Sequence, residues 1–294
     1  RTGPPPWAGA SAQAPARLPF DASRAPVIDK ALQRYVDTER VAGIVGLVMQ
    51  DGQVVYEKAF GWADKEAGRR MQPDTIFRIA SQTKAITSTA IMQLIEEGSL
   101  ALSTRAGVFI PSFGNTRVAV SNERGSVSQV PARRAITIRD LLTHTAGISY
   151  GTDPSVAALY AEKGLGPAAG AGWYTADKNE GVCDTMDRLG SLPFVSQPGE
   201  AWVYGYDTDI LGCIVEKASG VPLDAYVRDH ITVPLGMKDT QFFLPPALKD
   251  RLAAVYRSGA DGKFSRAADD ARGQGAYVDG PRKNFAGGAG LLST

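Results

Sequence analysis

Phe77-Arg78-Ile79-Ala80-Ser81-Gln82-Thr83-Lys84, running on through Ala85-Ile86 to Glu96-Glu97-Gly98, is the stretch around which the chain is organised. It predicts a strand end, a tight entry and a helix. From Ser81 onward Ala85, Ile86, Ala90, Ile91, Leu94 and Ile95 recur at helical spacing. The small residues Thr87, Ser88 and Thr89 would let the helix be covered on most sides, and Gly98 stops it as a C′ glycine does. Ser81 and Lys84 stand three apart, so hydroxyl and amine share a helix face within contact range. A serine at a helix start also meets unpaired N–H groups and a positive dipole end. Those are conditions for an activated nucleophile. Taken alone, the four residues also fit a plain N-cap serine, since Ser-x-x-Lys arises by chance in chains of this size.

Working outward, the composition bounds the possibilities. The 294 residues carry 32 Lys plus Arg against 31 Asp plus Glu, for a formal charge of +1. That balance gives no case for nucleic acid or an anionic membrane surface as partner. A hydrophobic content of 44% and a charged content of 21% are ordinary for a globular protein, and the length suits one large domain or two interleaved ones. No apolar run approaches the roughly 20 residues that span a bilayer. The two cysteines, Cys183 and Cys213, form no Cys-x-x-Cys pair, so neither a disulfide framework nor a zinc site is expected. Cys213, in Ile210-Leu211-Gly212-Cys213-Ile214-Val215, is expected to be a buried free thiol. No metal or organic cofactor is expected: phosphate-cradling, His-Glu-x-x-His and EF-hand patterns are missing from the sequence.

Residues 1–24 are expected to be extended or poorly ordered, given the Pro, Gly and Ala of the first twenty. Ala10-Ser11-Ala12 resembles the tail of a signal peptide without its apolar segment, leaving export to the periplasm or medium and cytoplasmic residence both open. Ile28, Leu32, Tyr35 and Val36 predict an amphipathic helix over 25–40. Gly43 to Met49 and Gln53 to Phe60 predict two strands joined by an Asp51-Gly52 hairpin turn. Residues 121–134, polar and basic, predict a loop, and 138–145 a short helix closed by Gly147. His144 at its end is either a proton shuttle or, the preferred reading, a residue that ties down the turn. The glycine-rich stretch 151–180 predicts a long loop, with Trp173 and Tyr174 as candidate pocket residues. Helices are expected over 182–191 and 209–219, an amphipathic segment over 222–230, a strand over 241–244 and a second hairpin over 252–264. An antiparallel sheet with helices packed on it, interrupted by a mostly helical insert, makes an α+β sandwich.

The order of these parts resembles the serine β-lactamase-like and penicillin-binding-protein-like superfamily. Within it the likeness is strongest to the family VIII carboxylesterases, which share the class C β-lactamase fold. Four stretches carry it: 77–84; Leu141-Leu142-Thr143-His144-Thr145-Ala146-Gly147; Pro198-Gly199-Glu200 through Tyr204 into Asp207 to Gly212; and Gly287 to Thr294. The resemblance implies a β-lactamase/transpeptidase-like fold, with an α/β domain formed by 25–98 and 236–294 and a mostly helical domain over 99–235. It also implies catalytic roles for Ser81, Lys84 and Tyr204, and a Ser81 backbone N–H as one oxyanion donor. Tyr204-Gly205-Tyr206 departs from the Tyr-x-Asn of the β-lactamases, in the direction of the esterases. Tyr206 joins Trp173 and Tyr174 as a candidate pocket residue.

The family's third motif, a Lys-Thr-Gly-like strand, has no counterpart here, and the C-terminal strands and helix of the fold are expected to be missing from this chain. The expected partners are therefore a small-molecule ester and a complementary C-terminal segment or chain. The activity implied is hydrolysis of carboxylic esters through an acyl-enzyme on Ser81. The alternatives are a β-lactamase, a D,D-peptidase or D-aminopeptidase, an acyltransferase, or a non-catalytic ligand-binding homologue.

Overall fold

A computed structural model describes residues 19–122, 126–170, 178–260, 262–270 and 272–294. Their contacts divide the chain into two compact units, Arg1–Pro73 and Asp74–Thr294. Residues of the expected 25–98 segment fall on both sides of that division.

In the first unit, helix α1 (Ala25–Asp37) packs against a hairpin of β1 (Gly43–Gln50) and β2 (Gln53–Asp64), with β3 (Arg69–Arg70) added on the far side of β2. The strands are antiparallel, pairing Gly43 with Gly61 and Gln50 with Gln53. Asp51 and Gly52 both have positive φ, 51° and 78°, which the right-handed strand twist requires of a two-residue turn. Asp29 of α1 accepts hydrogen bonds from Tyr56 Oη and Lys58 Nζ of β2 at 2.8 and 2.5 Å, so helix and hairpin are also joined by charge.

In the second unit, β4 (Phe77–Arg78) leads through a single 3₁₀ turn, Ala80–Gln82, into α2 (Thr83–Glu96). β5 (Arg117–Ser121), β6 (Val127–Pro131), α3 (Ile138–Leu142), α4 (Ala157–Glu162), α5 (Val182–Gly190), β7 (Pro193–Phe194), α6 (Asp207–Ser219) and α7 (Leu223–Val227) follow. The hairpin of β8 (Tyr256–Ser258) and β9 (Phe264–Arg266) comes next, and β10 (Leu292–Ser293) pairs antiparallel with β4. The hub is α6. Every residue from Asp207 to Val215 is buried, and the helix packs against α2, α3, α5 and α7. The unbroken apolar run from Ile210 to Val215 passes round every face of the helix, as suits an interior position. Gly220 ends it with φ 77°. Gly212 and Gly287 let α6 and the 287–291 segment touch, because a Cβ on Gly287 would stand 2.7 Å from the Thr208 carbonyl. No helix among the described residues is long and apolar enough to cross a membrane.

Five expectations are corrected. Residues 151–180 are not one long loop, because α4 lies within them, and 241–244 form no strand but a single bridge from Gln241 to Leu292. Residues 121–134 are not a plain loop, because β6 pairs residue for residue with β5, Val118 opposite Val130 and Ala119 opposite Gln129. The polar residues of β6 are exposed, so its alternation carries no apolar signal. Helix α2 is not covered on most sides. It buries the single face Thr83, Thr87, Ala90, Ile91 and Leu94. Cys213 is buried but not free: it is disulfide-bonded to Cys183, with Cα atoms 4.9 Å apart where α5 crosses α6. The bond closes a loop with a sequence separation of 30, for which chain-entropy reasoning gives about 3–4 kcal/mol of stabilisation. The non-reduced protein should therefore titrate no thiols with Ellman's reagent even when denatured. Changing both cysteines to Ala should lower the urea midpoint, and an unchanged midpoint would contradict the bond's role.

Candidate active site

Ser81 is presented by a backbone feature the sequence conceals. Ala80, immediately before Ser81, has φ 45°, a region that costs a residue bearing Cβ energy and recurs at functional sites. Ser81 then lies within the 3₁₀ turn rather than capping the helix, and α2 has no side-chain cap bond at its start. Lys84, one turn on, sends Nζ to within 3.3 Å of Ser81 Oγ, 3.2 Å of Tyr150 Oη and 2.8 Å of the Gly288 carbonyl, donating to each.

The segment carrying that carbonyl is fixed from two sides. Thr87 Oγ1 donates to the Gly287 carbonyl at 2.8 Å, and Thr83 Oγ1 accepts from Leu291 N–H at 3.0 Å. Positions 83 and 87 lie one above the other on the helix. From α6, buried Asp209 accepts the Gly288 N–H at 3.0 Å. The backbone of one residue, Gly288, thus links a carboxylate at the start of α6 to the lysine of α2.

The third group arrives from α6's approach. Thr137 and Asp140 form a capping box at the start of α3, and Arg134 clamps the Asp140 carboxylate with bonds of 2.6 and 2.8 Å. The chain leaves α3 through His144, φ 54°, and Gly147, φ 83°. A side chain on Gly147 would meet the Ser196 carbonyl at 2.2 Å. Residues 195–203 run alongside: Val195 N–H donates to the Gly147 carbonyl, Gly199 N–H to Thr145 and Val203 N–H to His144, at 2.9, 2.7 and 2.8 Å. Gly205 then crosses so close that a Cβ would lie 2.1 Å from the Ile148 carbonyl. This crossing sets Tyr204 Oη 2.8 Å from Ser81 Oγ. Lys84 Nζ lies 4.6 Å from the centre of the Tyr204 ring. Partial burial pushes the phenol's pKa up, but hydrogen bonding to Lys84 and Ser81 and the Lys84 charge outweigh it, and the phenol sits below its ordinary value.

Ser81, Lys84 and Tyr204, read from the sequence, therefore converge. Tyr206 is a buried packing residue rather than an open pocket wall. It precedes α6 with 1% exposure, accepts a hydrogen bond from Gly166 N–H at 3.0 Å, and packs edge-on against Tyr150. Trp173 and Tyr174 lie outside the described residues. His144 Nδ1 lies 3.0 Å from Asp207 Oδ2, and its ring is 4.8 Å from that of Tyr204. It is held as a prop beside the phenol. Tyr150, Asp209 and the Gly288 carbonyl were not singled out from the sequence. Tyr150 lies three residues beyond the Leu141–Gly147 stretch, and that nearness is the one signal the sequence offers for it. A cavity of about 620 Å³ lined by Met237, Phe242, Phe243 and Phe285 includes none of the three convergent residues.

Asp207 is fully buried, and burial raises its pKa to about 6 in spite of the opposing bond and charge of His144. A carboxyl with a raised pKa stabilises the fold while protonated. That contribution is complete below the ordinary value of 3.8 and is lost as pH rises through about 6. Urea unfolding across this window should show Asp207→Asn losing less stability than the unaltered protein as pH rises. Parallel curves would refute the assignment.

Comparison with known proteins adds independent information. A family model described as Beta-lactamase matches residues 28–294. Esterase EstB of Burkholderia gladioli is 34% identical over 238 residues, 81% of this chain and 56% of that protein. A lovastatin esterase of Penicillium rubens is 31% identical over 233 residues, 77% of this chain and 55% of the relative. This chain thus spans about half the length of the curated relatives it matches. Among solved structures, EstCE1, a hydrolase with promiscuous acyltransferase activity, superposes with a TM-score of 0.71 at 25% identity, covering 92% of this chain and 69% of the other. Simvastatin synthase (LovD) of Aspergillus terreus gives 0.72 at 27% identity, covering 93% and 66%.

Proposed function

The chain belongs to the β-lactamase family, and from that premise we propose that it is a serine hydrolase cleaving carboxylic esters, with Ser81 as nucleophile. The observation that carries the reading is the contact of Ser81 Oγ with both Tyr204 Oη, at 2.8 Å, and Lys84 Nζ, at 3.3 Å. Ionised Tyr204 takes the Ser81 proton as Oγ bonds to the ester carbonyl carbon. Lys84 holds the phenolate by charge and hydrogen bond. The Ser81 backbone N–H serves as one oxyanion donor. Collapse of the tetrahedral intermediate breaks the bond to the alcohol, whose oxygen takes the proton from Tyr204. A water then gives a proton to Tyr204 and attacks the acyl carbon. Ser81 leaves with that proton, and the carboxylic acid departs.

The same cycle transfers the acyl group when an alcohol replaces the water. The acyltransferase names among the relatives favour this as a second reading, Monacolin J acid methylbutanoyltransferase at 28% identity among them. Hydrolysis of β-lactams is disfavoured, because Tyr206 stands where the β-lactamases have an amide and its hydroxyl is engaged by Gly166. The test is a fluorophosphonate probe followed by peptide mass spectrometry. Label on Ser81 is expected, and label on any other residue overturns the proposal.

A further inference from the structure

We infer that Trp202 is the recognition surface for the alcohol half of the ester and selects alcohols that carry a flat ring. The inference rests on the reading of Ser81 and Tyr204 given above. Trp202 is 68% exposed. Scattered exposed apolar side chains are ordinary, but three features set this one apart.

Its stem is fixed. Gly199 N–H and Val203 N–H are bonded to Thr145 and His144 on either side of it, so the ring is held out by the backbone rather than by a slack loop. Its plane is set as well. The indole stacks on the Tyr204 ring at 22° with centroids 5.8 Å apart, and the His144 ring meets it edge-on at 6.2 Å. Finally, the ring it stacks on is the one whose hydroxyl reaches Ser81 Oγ. The aromatic series runs from buried Tyr206 through Tyr150 and Tyr204 to Trp202, and only its last member offers most of its surface to solvent.

The mechanism says which half of a substrate meets that surface. Tyr204 returns its proton to the leaving alcohol, so the alcohol oxygen lies at Tyr204 Oη. A group attached to that oxygen and extending past the Tyr204 ring reaches the indole. Glu200, two residues before it, is paired with Arg133. The exposed indole offers stacking and apolar contact, which suits an uncharged aryl or fused-ring alcohol.

The test compares naphthylethyl butyrate with n-butyl butyrate, which share an acyl group and a primary alkoxide. The unaltered protein should show a higher kcat/KM for the naphthylethyl ester by roughly three- to tenfold, the size of one aromatic stack. Trp202→Ala should erase that preference chiefly through KM, bringing kcat/KM for the naphthylethyl ester down to that for n-butyl butyrate, while Ser81 is still labelled by a small alkyl fluorophosphonate. Trp202→Phe should retain part of the preference. A preference that survives in Trp202→Ala, or an equal fall for both esters, overturns the inference. Labelling of Ser81 with no alcohol preference in the unaltered protein overturns it alone. Absence of Ser81 labelling overturns the acyl-enzyme reading and this inference with it.

Discussion

Replacing Ser81 by Ala is expected to stop ester turnover, with kcat falling by about four orders of magnitude or more, as when a nucleophile is removed from a unit that acts together. The expectation rests on geometry. Ser81 Oγ is the atom on which Tyr204 Oη and Lys84 Nζ both converge, and neither partner can itself form the acyl-enzyme proposed. The fold should tolerate the change. Ser81 is exposed, and the 3₁₀ turn that presents it is held by backbone bonds, Ile79 N–H to Leu291 among them. Stability should move by no more than about 0.5 kcal/mol, as for surface substitutions. Hydrolysis of p-nitrophenyl butyrate, read beside a urea melt, checks both halves. Undiminished turnover in a folded Ser81→Ala protein would leave the acyl-enzyme without a nucleophile.

Tyr204→Phe is the second large effect. It deletes one oxygen and keeps the ring that packs against His144 and Trp202. The loss should be roughly 10²–10⁴-fold in kcat, the range for a positioned acid–base group. A pH signature should accompany it. The base form of a phenol is the ionised one, so kcat/KM should rise with pH through the Tyr204 pKa, at a pH below that of an ordinary tyrosine because Lys84 and Ser81 favour the phenolate. Tyr204→Phe should lack this limb. His144→Ala should retain measurable activity, since Nδ1 is committed to Asp207. An enzyme that used His144 as its base would reverse the order of the two variants.

Periodicity made the main elements legible. The Asp51-Gly52 turn, α1 and α6 follow from spacing that few alternatives satisfy, because each pattern has one way to bury its apolar residues. The polar strand β6 was illegible for the opposite reason: its pairing with β5 is made by backbone groups, and its exposed side chains leave no trace of it. The disulfide was hidden because two cysteines separated by 30 positions say nothing of distance until α5 is laid across α6. The sequence does not show which way Tyr206 faces, because a tyrosine two residues from another carries no mark of direction. The sharp crossing at Gly205 sends one ring to Ser81 and the other into the core.

The sequence by itself determined membership in an α+β scaffold of the β-lactamase type and singled out Ser81 and Lys84, since positions three apart in a helical turn are neighbours whatever surrounds them. Tertiary structure decided what sequence distance cannot: that Tyr204 reaches Ser81, that Tyr150 and the Gly288 carbonyl complete the surroundings of Lys84, and that Asp209 holds the Gly288 peptide from beneath. The physical reason is close approach. Gly205, Gly212 and Gly287 have no side chain where backbones nearly touch, and only the assembled core shows which backbones those are.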